Sequence, residues 1–236
     1  MAAARDAGVE KVAAARENAA EAIEKVKPKL RGVTHEWAFF LSIGAGAALV
    51  LAADDAQARI SMAIYAGSLS ALLGTSALYH RVNWKRPDVR RLMRRLDHSM
   101  IFLQIAGTVT PFAVLVMDGP LATALLIAVW AGAIAGIVVE LIWIDAPKWV
   151  TASVYVAVGW IGALGFPAIV AAAGIGAGIL IAFGGILYMI GAVVYARQRP
   201  DPRPATFGYH EIFHLLVIVA AAAHFAAIAI YALPQG

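Results

Sequence analysis

Seven long apolar segments follow one another along this chain, after an alanine-rich and charged beginning. Each segment is long enough to cross a bilayer core of about 30 Å at about 1.5 Å of helix rise per residue. Lipid tolerates only helices or closed barrels, and no strand-like alternation is present, so all seven are predicted to be helices. We therefore expect an all-α integral membrane protein, a seven-transmembrane helix bundle, with spans at about residues 35–53, 59–80, 96–117, 121–144, 149–172, 175–196 and 210–233.

The first 34 residues have a different pattern from the rest. They are rich in alanine, which has the highest helix propensity, and Glu21 and Lys25 form a favourable i,i+4 pair. Pro28 lies near the end of this segment and is expected to stop the helix. Residues 1–34 are thus predicted to be a cytosolic, amphipathic and charged helical extension, and residues 35–236 a seven-helix transmembrane domain.

The composition agrees with a membrane protein and narrows the chemistry. Hydrophobic residues make up 61% of the chain and charged residues only 14%, against about 25% charged in a typical soluble domain. There is no cysteine, so disulfides and thiolate ligands are excluded, and any metal must be held by His, Asp, Glu or water. The net charge of +4 comes from basic residues beside apolar spans, which is typical of cytoplasmic membrane loops and not of a nucleic-acid-binding surface.

The basic residues also predict the orientation in the membrane. Lys and Arg cluster before the first span and in the second and sixth connections, and the fourth connection carries Lys148. With seven spans and a cytosolic N-terminus, every one of the 19 Lys and Arg residues except Arg59 falls on the cytosolic side. The positive-inside rule therefore predicts a cytosolic N-terminus and an outside C-terminus, in a multi-pass protein of the cell (plasma) membrane.

Five polar side chains are expected at one depth, near the cytosolic ends of three spans. His210 and His214 lie at i and i+4 at the start of the seventh span, so they share one helix face. His80 ends the second span with Ser76 one turn before it, and Asp97 begins the third span. Ionisable groups within spans are costly and usually functional, so these residues are predicted to form one buried site.

The residue types indicate a metal site with reactive groups beside it. His80, His210 and His214 supply three neutral nitrogens suited to Zn²⁺, which leaves a fourth tetrahedral position for water. Asp97 then acts as general base toward that water or completes the coordination directly. Ser76 orients a ligand or donates to a developing oxyanion. Imidazole also binds Fe, Co and Ni, so the sequence alone does not determine the metal.

Taken together, these motifs resemble those of the haemolysin III family, which belongs to the wider superfamily of progestin and adiponectin receptors and alkaline ceramidases. The similar elements are Ser76-x-x-x-His80, Asp97 after a short basic loop, His210-x-x-x-His214, and segments 32–36, 95–99 and 107–111. The resemblance covers about residues 32–233. It implies a seven-helix membrane protein with a cytosol-facing site, zinc on the three histidines, a water held by Asp97 with Ser76 close by, and hydrolysis of a lipid amide.

Three functions are weighed for this chain. The first is a zinc-dependent membrane hydrolase of a lipid amide or ester, with a membrane lipid or lipid-like molecule as its substrate. The second is a non-enzymatic receptor or regulator of membrane state, in which zinc ties helices two, three and seven together. The third, a pore-forming cytolysin, rests only on the family's name, because no amphipathic insertion segment or polar lumen-lining pattern supports it.

Other polar residues are given ordinary structural roles. His98 is expected behind the site or at the lipid interface, because it points about 100° away from Asp97. His224 is expected to be a hydrogen-bonded core histidine. We further expect interfacial anchoring or packing near the site for His35, contact with another helix or solvent for Glu211, polar ends of the fourth span for Glu140 and Asp145, and helix kinks at Pro111 and Pro167.

Overall fold

The computed structural model describes residues 28–236, and residues 1–27 lie outside that described part. The helical extension predicted for residues 1–34 therefore falls mostly outside it, and residues 29–32 form turns before the first described helix. Within residues 28–236 the chain is all-α, as predicted. Its helices are α1 Val33–Leu51, α2 Ala56–Arg81, α3 Pro87–Pro111, α4 Gly119–Ile142, α5 Lys148–Ala163, α6 Phe166–Ala173, α7 Ile175–Arg197 and α8 Tyr209–Ala227.

Six of these helices are long and apolar enough to cross a membrane. Helices α5 and α6 pass the same test as a pair, bent by 43° at a short break, which gives a seventh span if the two cross together. The outer faces of the bundle carry large exposed apolar side chains, such as Leu51 (82% exposed), Ile142 (77%) and Ile175 (75%). Apolar surface on this scale needs lipid around it. The prediction of an all-α, multi-pass membrane protein is confirmed, with six to seven spans.

The third helix begins earlier than its apolar segment does. Helix α3 starts at Pro87 and not at residue 96, and a proline in the first turn is favourable because its missing N–H is not needed there. Arg94, in this added basic stretch, donates to the Ile144 carbonyl oxygen at 2.6 Å. Hydropathy marks only the part of a helix that lies in lipid, so it missed these basic turns. Asp97 consequently lies in the interior of α3 and not at its start.

Both predicted proline kinks coincide with a departure from regular α-helix. After Pro111 the chain forms a π-helical turn, Phe112–Val116, that continues α3. The fifth apolar segment breaks between α5 and α6, and Pro167 lies in the first turn of α6. Proline removes a backbone N–H and restricts the residue before it, so a helix tends to end just ahead of a proline.

Most of the charged residues lie at one end of the bundle, named here the basic end. It consists of the starts of α1, α3, α5 and α8 and the ends of α2, α4 and α7. Contacts join these parts directly: Arg81 pairs with Glu36 at 2.7 Å, and Lys148 Nζ donates to the Tyr209 hydroxyl at 2.8 Å. All five residues of the predicted site belong to helix segments at this end.

We expect the basic end to face the cytosol, because it carries every Lys and Arg residue of the described range 28–236 except Arg59. The chain has no cysteine, so a single introduced cysteine reports its own position. Asp54→Cys, exposed at the opposite end, should react with a membrane-impermeant maleimide in intact cells. Arg86→Cys, exposed at the basic end, should react only after lysis. The reverse pattern would contradict the predicted orientation.

Candidate metal centre

Three histidines meet at the basic end. His80 lies in the last turn of α2, and His210 and His214 lie in the first two turns of α8. One nitrogen from each of the three lies within 4.8 Å of the other two. His80 and His214 are buried, at 7% and 2% exposure. The i,i+4 spacing on α8 thus turns both rings toward the end of α2.

The spacing of these nitrogens fits a metal ion. His80 Nε2 and His210 Nε2 are 3.2 Å apart. Two nitrogens bound at about 2.0–2.1 Å to one tetrahedral Zn²⁺ lie about 3.3 Å from each other, so this pair has the separation of two ligands. His214 Nδ1 is buried without a hydrogen-bond partner among residues 28–236. Three imidazoles that face one point cannot all be satisfied by hydrogen bonds to one another, and the cluster could therefore hold a metal ion.

Asp97 lies on the same side of His80 as His210 does. Its Oδ2 is 3.5 Å from His80 Nε2, the nitrogen that also faces His210. A carboxylate that only orients a metal-bound histidine contacts the ring nitrogen turned away from the metal. Asp97 instead occupies the space in front of the ligands, where it could bind an ion directly or accept a hydrogen bond from a water. Both roles that the sequence suggested are compatible with this position.

Ser76 borders a large cavity that leads away from the histidines. The cavity measures about 490 Å³ and is bounded mainly by α3, α5, α7 and α8, with His210 and His214 in its wall. Ser76 is buried at 2% exposure, one turn before His80 on α2. Most of the other lining side chains are apolar, among them Leu72, Ile105, Val109 and Phe112. The structure therefore brings Ser76 to a space that the α8 histidines share, and its role there stays a prediction.

A strap formed by residues 29–32 holds the start of α8 in place. Two backbone hydrogen bonds of 3.2 Å join the strap to residues 205–206. Arg31 Nε donates to Glu211 Oε1, and Glu211 is buried at 1% exposure. The other carboxylate oxygen of Glu211 accepts from the Gly208 N–H at 2.8 Å and caps the helix. The turn that carries the first α8 histidine is thus fixed from two sides.

The strap and the start of α1 also contact the histidines directly. The rings of His35 and His214 stack with centroids 3.8 Å apart and planes at 7°. Gly32 has a φ of +80°, and a Cβ atom at this position would lie 2.7 Å from His80 Cβ. Two roles were open for His35, interfacial anchoring and packing near the site. In the structure His35 packs near the site.

The surroundings of Glu140 differ from the sequence prediction. It was expected at the polar end of the fourth span, whereas the structure buries it at 4% exposure with His98 and Tyr155 as hydrogen-bond partners. Helix α4 packs beside α3 and α5, so this turn of α4 faces protein and not the aqueous boundary. The available signal was a lone carboxylate between Val139 and Leu141, inside an apolar run.

Two further polar residues, His224 and Asp145, have the ordinary roles expected for them. His224 Nε2 donates to the Ile181 carbonyl oxygen at 3.1 Å, the bonding of a core histidine. Asp145 is exposed and pairs with Arg94 at 3.2 Å, as a polar residue at a span end does.

Metal content tests the three-histidine site. Protein purified in detergent should carry about one divalent ion per chain, and the His210→Ala/His214→Ala double variant should lose it with two of its three nitrogens. His80→Ala should lose it as well. His224→Ala, a matched control that removes a histidine outside the cluster, should retain it. Elemental analysis decides the matter, and an equal metal content in all four proteins would contradict the site.

The close approach of Gly32 to His80 predicts an effect on metal affinity. Gly32→Ala places a side chain on left-handed backbone and against His80 Cβ, so His80 must move. We expect the free energy of unfolding to fall by about 1–2 kcal/mol and zinc affinity to fall roughly tenfold. Gly44→Ala is the control, because nothing lies within 4 Å of its added Cβ. Zinc competition against a chelator measures the affinity, and an unchanged value for Gly32→Ala would refute this contact's importance.

Comparison with known proteins gives the chain its family. A family model described as Haemolysin-III related matches residues 23–225. The chain is 34% identical to Hemolysin-3 of Bacillus cereus over 208 residues, which cover 86% of this chain and 90% of that protein. It is 31% identical to the Hemolysin-3 homolog of Bacillus subtilis, with 84% and 91% covered, and 29% identical to Monocyte to macrophage differentiation factor of Homo sapiens, with 83% and 80% covered. The family match includes the three clustered histidines, Asp97 and Ser76, and the chain belongs to the haemolysin III family.

Proposed function

We propose that this protein is a metal-dependent hydrolase that cleaves an amide or ester bond of a membrane lipid. One observation carries the proposal: a three-histidine cluster with a carboxylate in front of it opens on a mostly apolar cavity of about 490 Å³. An amphiphile with one polar end and one acyl chain matches both parts of this arrangement.

The histidine cluster would hold the ion through His80, His210 and His214. An all-nitrogen donor set in a chain without cysteine supports Zn²⁺ as that ion. When bound in such a site, zinc lowers the pKa of a coordinated water to about 7 and polarises a carbonyl oxygen. The burial of the cluster supports this chemistry, since fixed charges act more strongly where bulk water is excluded.

Asp97 would move the proton in this reaction. Its Oδ2 lies 3.5 Å from His80 Nε2, so a water held at the histidine cluster beside this carboxylate could donate a hydrogen bond and then a proton to Oδ2. The same carboxyl group can then return the proton to the leaving nitrogen or oxygen. Asp97 is buried at 8% exposure, which limits exchange of that proton with bulk water.

Ser76 supplies a hydroxyl donor at the edge of the same cavity. Its O–H group can stabilise the negative charge that develops on the carbonyl oxygen of the substrate. At 2% exposure the hydroxyl meets little competing water, and a donor that is already in place needs no reorganisation during the reaction.

The cavity provides a place for the acyl chain and a route to it. Trp160 on α5 and Ile186 on α7 line the cavity and are also exposed, at 57% and 56%. Side chains that belong to both surfaces mark an opening between α5 and α7, toward the lipid. Each methylene buried there contributes about 0.8 kcal/mol, so the apolar wall favours binding with the polar end at the histidines.

The cell membrane, with the reaction on its cytosolic side, is the proposed location. The support is electrostatic: the site lies at the basic end, and positively charged residues of membrane proteins concentrate on the cytosolic side.

Hydrolysis by the zinc-loaded protein tests the proposal. Long-chain amides or esters in detergent micelles should be cleaved, with kcat lowered about 10²–10⁴-fold in Asp97→Asn and about 10²-fold in Ser76→Ala. Ser153→Ala, which removes an exposed serine hydroxyl bonded only to its own helix, is the matched control. Zinc retained by Asp97→Asn would show that the carboxylate acts through water. A zinc loss as large as that of His80→Ala would make Asp97 a direct ligand.

Failure of the zinc-loaded protein to cleave any amide or ester would contradict the proposal that it is a hydrolase. Chelation then addresses the receptor alternative, in which the ion is structural. Unfolding on removal of the metal would show that the ion ties α2 to α8. Thermal denaturation with and without the chelator measures this unfolding.

A further inference from the structure

A second buried polar cluster lies against the same cavity and takes no part in the three-histidine site. It consists of His98 on α3, Glu140 on α4 and Tyr155 on α5. The Tyr155 hydroxyl donates to Glu140 Oε1 at 3.1 Å, and His98 Nδ1 donates to Glu140 Oε2 at 3.2 Å. A carboxylate buried among membrane helices is costly unless its oxygens are bonded, and such residues mark functional positions by default.

The carboxylate determines which nitrogen of His98 remains available. Both oxygens of Glu140 accept hydrogen bonds, so the proton of the His98 ring is on Nδ1. In the tautomer with its one proton on Nδ1, the ring has its lone pair on Nε2, which is the way a carboxylate sets the tautomer of a histidine. His98 also lines the cavity. The cavity wall therefore contains a hydrogen-bond acceptor that is held from behind by α4 and α5.

His98 lies at the end of the cavity that the clustered histidines border. It follows Asp97 on α3, and both residues line the cavity. The Tyr195 ring links the two clusters, with its centroid 6.5 Å from that of His98 and 6.0 Å from that of His210. His98 and the α8 histidines thus border one cavity on either side of Tyr195, which would let the polar end of one lipid contact both.

We propose that His98 is a specificity-determining residue that accepts a hydrogen bond from an N–H or O–H group on the polar end of the bound lipid. The inference rests on the proposed function, since it needs a lipid in the cavity with its polar end at the histidines. A secondary amide carries such a donor next to its carbonyl group. An ester or an N-methylated amide presents only acceptors there, so the lone pair of His98 stays unsatisfied and faces other lone pairs.

Glu140 and Tyr155 act through His98 as positioning residues. Glu140→Gln offers both a donor and an acceptor to His98 Nδ1, so the ring proton can move to Nε2 and the acceptor facing the cavity is lost. Tyr155→Phe removes one hydrogen bond to Glu140 and keeps the shape of the ring. A cluster that only joined three helices would change thermal stability in these variants without changing the choice between ligands.

Binding of matched probes tests the proposal. The probes are a long-chain secondary amide, its N-methylated form and the ester of the same length, each displacing a fluorescent fatty-acyl chain from the zinc-loaded full chain in detergent. The unaltered protein should bind the secondary amide at least about tenfold more tightly than either analogue. The ester lacks the N–H group but carries no added methyl group, so it distinguishes an effect of the missing N–H from an effect of the bulk of the methyl group. In His98→Phe this preference should disappear while the zinc content is unchanged.

Two kinds of variant complete the test. His224→Phe is the matched control, because it removes a histidine of the same cavity that is bonded to a backbone carbonyl, and it should keep the preference even if all three affinities fall together. Glu140→Gln and Tyr155→Phe should weaken the preference, and they carry the test if His98→Phe does not fold. Equal binding of the three probes by the unaltered protein, or a preference that survives in His98→Phe, overturns the proposal.

The binding ratio separates this inference from the proposed function. A preference for the secondary amide without any cleavage supports the role of His98 and contradicts the proposed hydrolase function. Cleavage of amide and ester with equal affinity keeps the hydrolase and removes the role of His98. No displacement by any of the three probes overturns the inference, since the cavity then does not take such a lipid.

Discussion

Polar groups inside a bilayer depend on the protein for their partners, and this constraint shapes the basic end of the bundle. Glu211 is bonded by Arg31 from the strap, and Glu140 is bonded by His98 and Tyr155 from neighbouring helices. The clustered histidines differ from these carboxylates, because they face one another and hydrogen bonds among them satisfy them only in part. The cluster is therefore a point at which the basic end could hold a metal ion, a group that the chain does not itself supply.

The start of α8 is where several of these contacts combine. In its first two turns, Tyr209 accepts from Lys148 of α5, Glu211 pairs with Arg31 of the strap, and His214 stacks on His35 of α1. Because α8 carries two of the three candidate ligands, each of these contacts bears on the spacing of the nitrogens. A metal site needs its ligands held within a few tenths of an ångström, and packing around a helix start achieves this better than a free loop does.

Local spacing made part of the site predictable from the sequence. The i,i+4 pairs Ser76–His80 and His210–His214 share a face because of helix geometry alone. Long-range pairs could not be predicted in the same way: Arg31 and Glu211 are 180 residues apart along the chain, and their contact depends on how α1 and α8 pack. Hydropathy carries no information on such packing.

The same limit explains two features of the helices that the sequence did not predict. The basic turns at the start of α3 lie outside the apolar segment, so a hydropathy pattern stops at residue 96 although the helix begins at Pro87. Glu140 lies near the end of an apolar run, where a polar cap is the usual assignment. The burial of Glu140 is tolerable because His98 and Tyr155 on neighbouring helices bond its carboxylate. Neither residue lies on α4, so the sequence around Glu140 does not reveal them.

Helix α3 shows how one element serves two clusters. Asp97 and His98 are consecutive, so they point about 100° apart, one toward the clustered histidines and the other toward α4. Both directions depend on the rotation of α3 about its axis. Two hydrogen bonds from α3 fix that rotation. Arg94 donates to the Ile144 carbonyl oxygen, in the loop after α4, at 2.6 Å, and His98 donates to Glu140 near the end of α4. A rotation that favoured one of the two residues would break the contact of the other, so the candidate metal centre and the cavity wall must be adjusted together.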